Sequence, residues 1–375
     1  MTVVHLGVSG ERVLRRLIAV AASGVDRTVA RALVGRRLAA ASPRMRCDQE
    51  WPDLERITAG YDRADHYRDP DTFFGDPGFP QARSTLVRRL ACGGRVIDAS
   101  WPSCAPLHPA MVPRHHASPR SQRAAARLFV HPEPPRGAVI LVHGYLGGTY
   151  ALEERLWSAR RLHQRGFDVA LATLPFHGVR AEAGRSGRPS FPAADPRITN
   201  EGVRQAVFDL RGLIRLLRAR GAPRVGAMGM SLGGYVVSLL ATVERELAFV
   251  VPVVPLADLT AFSRGHVPDT ASHAEVQASM PARARAHRVV SPLARRSVLS
   301  SDRVLVVGAA ADRIAPLTHA QELADHFGAP LEIIPGGHLL QLGRGRALSA
   351  IDRLLDRCCE TPAPCELPMQ HWSMG

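Results

Sequence analysis

Buried strands and amphipathic helices alternate along most of the chain after residue 122. Continuous apolar runs, typical of strands covered on both faces, occur in AVILVHG, FDVALATLP, PRVGAMG, LAFVVPVVP, DRVLVVGAA and APLEIIPG. Between them, apolar residues recur every three or four positions, as in GVRQAVFDLRGLIRLLRARG and HAQELADHFG. Because strands that alternate with helices usually pair in parallel, the pattern predicts an α/β fold with a mostly parallel central sheet flanked by helices.

The first third of the chain follows a different pattern. Apolar spacing predicts helices over about 11–40 and 81–91, and RVIDASWP is typical of a strand. A proline-rich segment then leads to RAAARLFVH, which we interpret as an edge strand. We therefore divide the chain into a helical and irregular N-terminal extension (residues 1–122), a main domain (123–357) and a C-terminal tail (358–375).

Two long segments interrupt the alternation in the main domain. Residues 176–201 follow the strand FDVALATLP, and residues 256–297 follow the strand LAFVVPVVP. Ligands of open α/β sheets bind outside the carboxyl ends of the strands, and long loops at that edge often act as lids. We expect both insertions to cover a ligand site.

The composition is that of a soluble globular protein, with 46% hydrophobic and 22% charged residues. The net charge of +14 comes from arginine, since the sequence has no lysine, and the arginines are scattered rather than gathered in one block. This argues against a specific nucleic-acid partner and leaves weak attraction to anions or to a membrane surface.

None of the six cysteines lies in a metal-type Cys-x-x-Cys pair, and no stretch of about 18 apolar residues occurs, so we expect a cytoplasmic protein without a metal site. The oligomeric state stays open.

The stretch GMSLG, residues 229–233, has the form G-x-S-x-G and lies between a predicted strand and a predicted helix. In that context the serine occupies a sharp, strained turn, and the residues two before and two after it must be small. Gly229 and Gly233 meet this requirement. The turn raises the hydroxyl of Ser231 above the sheet at a helix N-terminus, where negative charge is favoured. We interpret Ser231 as a nucleophile.

A serine hydroxyl needs a base, and the base needs an acid that orients it. His338 directly follows a late predicted strand, in EIIPGGH, and we assign it as the base. Asp312 comes just after the strand in DRVLVVGAA and is our preferred acid. Asp258, which follows the preceding strand, is the alternative acid.

The loop HGYLGG, residues 143–148, supplies the remaining part of the predicted site. We expect the backbone N–H groups of Tyr145 and of Leu232, the residue after the serine, to bind the oxygen that becomes negative during acyl transfer. Gly144 lets the backbone come close to a substrate. His143 is expected to brace this loop, and His177, in PFHG, to stabilise its own loop or to contact substrate.

Over about residues 123–357 the chain resembles the α/β-hydrolase superfamily. The resemblance rests on the identity and chain order of HGYLGG, GMSLG, Asp312 and GGH. The resemblance implies the α/β-hydrolase fold and a Ser231–His338–Asp312 triad that works through an acyl-enzyme. The proline-rich lead-in and LPFHGVR are also similar to the branch typified by abhydrolase domain-containing protein 18.

These features together predict a serine hydrolase. Its substrate would be a carboxylic ester or a related small-molecule or lipid-like acyl compound, and no cofactor is needed. An acyltransferase and a non-catalytic binding protein on the same scaffold are the alternatives, because a fold does not fix the chemistry that it supports.

Overall fold

The computed structural model describes residues 18–28, 54–182, 189–193, 195–260 and 273–359. Within them lies one nine-stranded sheet. Its strands are β1 (Arg83–Arg89), β2 (Arg95–Pro102), β3 (Arg123–Val130), β4 (Gly137–Val142), β5 (Phe167–Thr173), β6 (Val225–Met230), β7 (Leu247–Val253), β8 (Val306–Ala309) and β9 (Leu331–Ile334).

The strands lie side by side in the order β1-β2-β3-β5-β4-β6-β7-β8-β9. The first four in this order pair antiparallel, and every pair from β5 to β9 is parallel. The mostly parallel sheet predicted from the sequence is confirmed.

Helices cover both faces of this sheet. The described helices are α1 (18–28), α2 (Leu54–Tyr61), α3 (Ala64–Arg68), α4 (Pro70–Phe74), α5 (Val112–His116), α6 (Tyr150–Leu156), α7 (Ala159–Gln164), α8 (Pro196–Ala219), α9 (Leu232–Leu240), α10 (His273–His287), α11 (Leu317–Phe327) and α12 (Gly345–Cys359). None of them is long and apolar enough to cross a bilayer.

The strand β4 shows why the central strands are apolar throughout. Successive side chains of a strand point to opposite faces of the sheet. Ile140 and its alternate neighbours pack with α8 and α9 on one face, whereas Val139 and Leu141 pack with α7 and α12 on the other. Because both faces are buried, every position of the strand is apolar, and the continuous run in the sequence follows.

The predicted N-terminal extension contributes two strands to the sheet. The helix expected over 81–91 is wrong, because residues 83–89 form β1, which pairs antiparallel with β2. The turn between them contains Gly93, whose φ of +82° suits glycine, and its backbone hydrogen bonds close the hairpin. Pairing with β2 therefore outweighs the helical spacing. Every residue of β1 is exposed, and its arginines protect this outer edge of the sheet.

Two further expectations need correction or completion. RAAARLFVH forms β3, but β3 is not an edge strand, since β2 and β5 pair with its two sides. Of the helix expected over 11–40, residues 18–28 are helical, and the remainder lies outside the described residues. The insertion 176–201 already contains the start of α8, and the insertion 256–297 contains α10.

Candidate active site

Ser231 occupies the turn between β6 and α9 in a strained backbone conformation, with φ +56° and ψ −115°. The two glycines around it stand where no side chain fits. A methyl group on Gly229 would overlap the carbonyl group of Gly233, and one on Gly233 would overlap the carbonyl oxygen of Val142. The N–H of Ser231 donates to the carbonyl oxygen of Val253 at 3.0 Å. The neighbouring strands therefore hold the serine on this corner.

The structure brings Ser231, His338 and Asp312 into one line of hydrogen bonds. Nε2 of His338 lies 2.9 Å from the hydroxyl oxygen of Ser231, and Nδ1 lies 2.7 Å from Oδ2 of Asp312. The other carboxylate oxygen accepts the N–H groups of Ile314 and Ala315 at 2.8 and 2.7 Å. Because a carboxylate only accepts, Nδ1 carries the imidazole proton and Nε2 is left to accept the proton of the serine.

The alternative acid, Asp258, has a different place in the structure. Its side chain is exposed, and Oδ1 accepts the N–H of Thr260 at 2.8 Å within its own turn. The histidine is therefore joined to Asp312 rather than to Asp258.

The two predicted oxyanion donors belong to segments that meet beside the serine. Leu232 is the first residue of α9, where N–H groups have no acceptor within the helix. Tyr145 follows Gly144, and a methyl group on Gly144 would lie only 3.2 Å from Cβ of Ser231. The loop after β4 thus runs against Ser231, with glycine at the point of closest approach. The role of both N–H groups in binding an oxyanion stays a prediction.

His143 is buried and ties two loops together. Nδ1 donates to the carbonyl oxygen of Gly144 at 2.8 Å, and Nε2 accepts the N–H of Leu174 at 3.0 Å. Burial lowers the pKa of His143 to about 4, so its imidazole is neutral at pH 7. These contacts fit the bracing role expected for this residue.

His177 is also buried, close to the same loop. Nδ1 donates to the carbonyl oxygen of Pro175 at 2.8 Å, and its ring packs 5.1 Å from His143 and 5.9 Å from Tyr145. Burial lowers its pKa to about 3. Its Nε2 atom is buried without a hydrogen-bond partner among the described residues. The contacts support a role in holding its loop and leave one acceptor atom unused.

Sequence reasoning missed two acidic residues that support the site. Glu153 of α6 accepts the N–H of Gly148 at 2.9 Å and that of the Trp157 indole at 3.2 Å, and burial raises its pKa. Asp26 of α1 accepts the backbone N–H of His338 at 2.7 Å. Glu153 stands in the first turn of a helix just after a glycine-rich loop, which was a usable local signal. The sequence around Asp26 carries no such signal.

An apolar cavity of about 460 Å³ lies beside His338. His338 and Met230 line it, and most of the other lining side chains are aliphatic, among them Val253, Val307, Ile334, Leu339, Leu348 and Ile351. Met230 directly precedes the serine, and its Cε lies 3.6 Å from the position of a methyl group on Gly144. The cavity is therefore lined by His338 and by the residue before Ser231, while Ser231 itself is not among the lining residues. No cluster of three or more potential metal ligands occurs in the described part of the chain.

Sequence comparison finds relatives of unassigned function. No protein-family model matches the chain. An uncharacterized protein of Mycobacterium tuberculosis, present in strains CDC 1551 / Oshkosh and ATCC 25618 / H37Rv, is 33% identical over 227 residues. The match covers 58% of this chain and 53% of that protein, so the chain spans about half the length of the curated relatives it matches.

Two solved structures resemble about four-fifths of the chain in fold. Acetyl xylan esterase 1 from Thermoanaerobacterium sp. JW/SL YS485 matches 83% of this chain and 94% of its own, at 14% identity and a TM-score of 0.51. Acetyl xylan esterase from Paenibacillus sp. R4 matches 81% of this chain and 99% of its own, at 14% identity and a TM-score of 0.53. Neither points to the abhydrolase domain-containing protein 18 branch, and at this identity the likeness concerns the fold. The chain has the α/β-hydrolase fold.

Proposed function

We propose that the protein is a serine hydrolase that cleaves a carboxylic ester or a related acyl bond through an acyl-enzyme on Ser231. The observation that carries this proposal is the pair of hydrogen bonds from Ser231 through His338 to Asp312, at 2.9 and 2.7 Å, on a strained turn at a helix N-terminus. A serine, a base and an orienting acid in this geometry form a unit for acyl transfer.

The first half of the reaction forms the acyl-enzyme. The hydroxyl oxygen of Ser231 attacks the substrate carbonyl carbon while Nε2 of His338 takes the hydroxyl proton. Asp312 stabilises the imidazolium and holds its orientation. The N–H groups of Tyr145 and Leu232 bind the oxyanion of the tetrahedral intermediate, and each such donor typically contributes about 3–4 kcal/mol to transition-state stabilisation. The intermediate then expels the alcohol, which receives the proton from His338.

The second half returns the enzyme to its starting state. His338 takes a proton from water, and the resulting hydroxide attacks the acyl carbon of the ester on Ser231. The tetrahedral intermediate collapses with release of the carboxylic acid, and the proton on His338 returns to the serine oxygen. Every proton in both halves passes through Nε2, which is the nitrogen that faces the serine in the structure.

Covalent labelling tests the proposal directly. A fluorophosphonate probe is expected to modify the folded protein at one site, and mass spectrometry of the digest should locate the phosphonyl group on the peptide that contains Ser231. Heat-denatured protein is the control and should not react, because the relay exists only in the fold. A folded protein that resists the probe and leaves chromogenic esters intact would point instead to a non-catalytic binding protein.

The cavity beside His338 predicts a preference for an apolar acyl group. Its volume of about 460 Å³ lies within the range of small-molecule sites, about 300–1,000 Å³. Each buried methylene contributes about 0.8 kcal/mol, which corresponds to about fourfold in kcat/KM. We therefore expect kcat/KM for 4-nitrophenyl esters to rise from acetate to octanoate.

Filling the cavity should remove this preference. Leu348 lies in its wall on α12 and is 39% exposed, so a larger side chain can be accommodated at its rim. Leu348→Trp is expected to lower kcat/KM for the octanoate by about 15-fold and leave the acetate nearly unchanged, since excluding two methylenes at about fourfold each has this effect. Leu152→Trp, at a residue that is 49% exposed and does not line the cavity, is the matched control. The same chain-length profile in both variants would exclude the cavity as the acyl site.

A further inference from the structure

We infer that Asp26 of α1 is a positioning residue for the triad, which makes an element of the N-terminal extension a functional part of the centre. The inference rests on the proposed function. Two segments are involved: the acid loop (residues 310–316), which carries Asp312, and the base loop (residues 335–342), which carries His338. Asp26 hydrogen-bonds to both of them.

The side chain of Asp26 holds the backbone of the base. The residue is fully buried, and its two oxygens accept the N–H groups of His338 at 2.7 Å and of Leu339 at 3.1 Å. The N–H groups of the two preceding glycines bond to carbonyl groups of the base loop itself. The base loop thus closes on itself before the histidine, and the histidine backbone is held from α1.

The same carboxylate also reaches the acid loop. Its Oδ2 atom lies 3.3 Å from the N–H of Arg313, the residue after Asp312. Ser23, one turn earlier on α1, docks the helix by donating to the carbonyl oxygen of Ala311 at 3.1 Å. The two loops are also joined directly, since the N–H of Ala311 donates to the carbonyl oxygen of Gly336 at 3.0 Å. Asp26 adds a side chain from α1 that bonds to both loops, at the residue after Asp312 and at His338 itself.

A docking role alone does not explain a carboxylate at this position. Burying a carboxylate is unfavourable unless hydrogen bonds compensate, whereas apolar contact, such as that of the fully buried Ala22, attaches a helix without this penalty. Gly337 supports the close approach, because a methyl group there would lie 2.6 Å from Oδ2 of Asp26 and 3.2 Å from Cβ of Ala22. A glycine directly before the base is thus needed for α1 to reach it.

Loss of the second acceptor should disturb the triad more than the fold. In Asp26→Asn, the amide keeps one acceptor oxygen, and its NH₂ group cannot accept the N–H of Leu339 or His338. A displacement of about 1 Å in a catalytic group can lower the rate about 10²-fold. We expect kcat to fall by about 10–100-fold and KM to stay within about twofold, because Asp26 lies behind the base loop and does not line the cavity.

The experiment compares Asp26→Asn in the whole chain with wild type and with Ser23→Ala. The Ser23→Ala change removes the two bonds of the Ser23 hydroxyl to the acid loop, to the carbonyl oxygen of Ala311 and from Nε of Arg313, but none to the base loop. The thermal midpoint, kcat, KM and the rate of fluorophosphonate labelling are measured for each, with kinetics well below the lowest midpoint. We expect a slow Asp26→Asn with a nearly unchanged KM. Ser23→Ala should lose thermal stability while its kcat stays within about threefold of wild type.

The outcomes separate the inference from the proposed function. A wild-type protein that neither labels nor hydrolyses esters overturns both. If the wild type reacts and Asp26→Asn reacts equally fast, the inference alone is overturned. The same holds if kcat falls equally in Asp26→Asn and Ser23→Ala, because α1 would then only dock against the loops. If Asp26→Asn does not fold, Gly337→Ala tests the inference in its place. The added methyl group pushes α1 away from the base loop but leaves the carboxylate of Asp26 in the protein. Wild-type labelling in Gly337→Ala would contradict the inference, and slow labelling at unchanged KM would support it.

Discussion

Ser231→Ala is expected to lower kcat for ester hydrolysis by about 10⁶-fold without unfolding the protein. Ser231 already holds a non-glycine side chain at φ +56°, so alanine adds no backbone strain and removes only the hydroxyl oxygen. That oxygen is the atom 2.9 Å from Nε2 of His338. Without it, the relay has no group to deprotonate, and the remaining contacts bind an ester without forming an acyl-enzyme.

The measurement is kcat for a chromogenic ester and the rate of fluorophosphonate labelling, with the thermal midpoint as the check on folding. Ser238→Ala is the matched control, because Ser238 is a fully buried serine on α9, the helix that follows Ser231, and its hydroxyl donates to the carbonyl oxygen of Gly234. It should retain most of the wild-type kcat. More than about 1% of wild-type activity in Ser231→Ala would mean that another residue is the nucleophile.

The central strands could be predicted from the sequence because their signal is local. In β4 and β6, both faces are covered by helices, so burial appears as an unbroken apolar run at the position of the strand itself. β1 has no such signal. All residues of β1 are exposed, and hydrogen bonds to β2 make it a strand. The spacing of apolar residues within the segment does not reveal such pairing with another strand.

The residues of the candidate site also differ in whether local sequence features predict them. The turn around Ser231 and the positions of Asp312 and His338 after strands are local features of an α/β sheet, and chain order then connects them. Asp26 reaches His338 across 312 positions, and Glu153 acts on a loop whose conformation only the fold defines. Such supporting residues depend on which surfaces meet in three dimensions. From the sequence, the candidate triad and the bracing residue His143 could be placed, whereas Asp26 could not, and Glu153 had only the local signal of a helix after a glycine-rich loop.

The second large effect is expected for Asp312→Asn, which should lower kcat by about 10⁴-fold while the protein stays folded. In the structure, Oδ1 of Asp312 accepts two N–H groups, from Ile314 and Ala315. The amide oxygen of asparagine is therefore held at that position, and the NH₂ group faces Nδ1 of His338. Nδ1 must then accept, so the imidazole proton moves to Nε2, which can no longer take the proton of Ser231.

Asp258→Asn is the control that distinguishes the two acids considered from the sequence. Asp258 is exposed, and an amide oxygen can keep its bond to the N–H of Thr260, so kcat should stay within about twofold of wild type. Both variants are compared by ester turnover and by labelling rate under identical conditions. A greater loss of kcat in Asp258→Asn than in Asp312→Asn would show that Asp258 orients His338 in the active enzyme. Because the expected gap is about 10⁴-fold, a single initial-rate comparison decides between the two carboxylates.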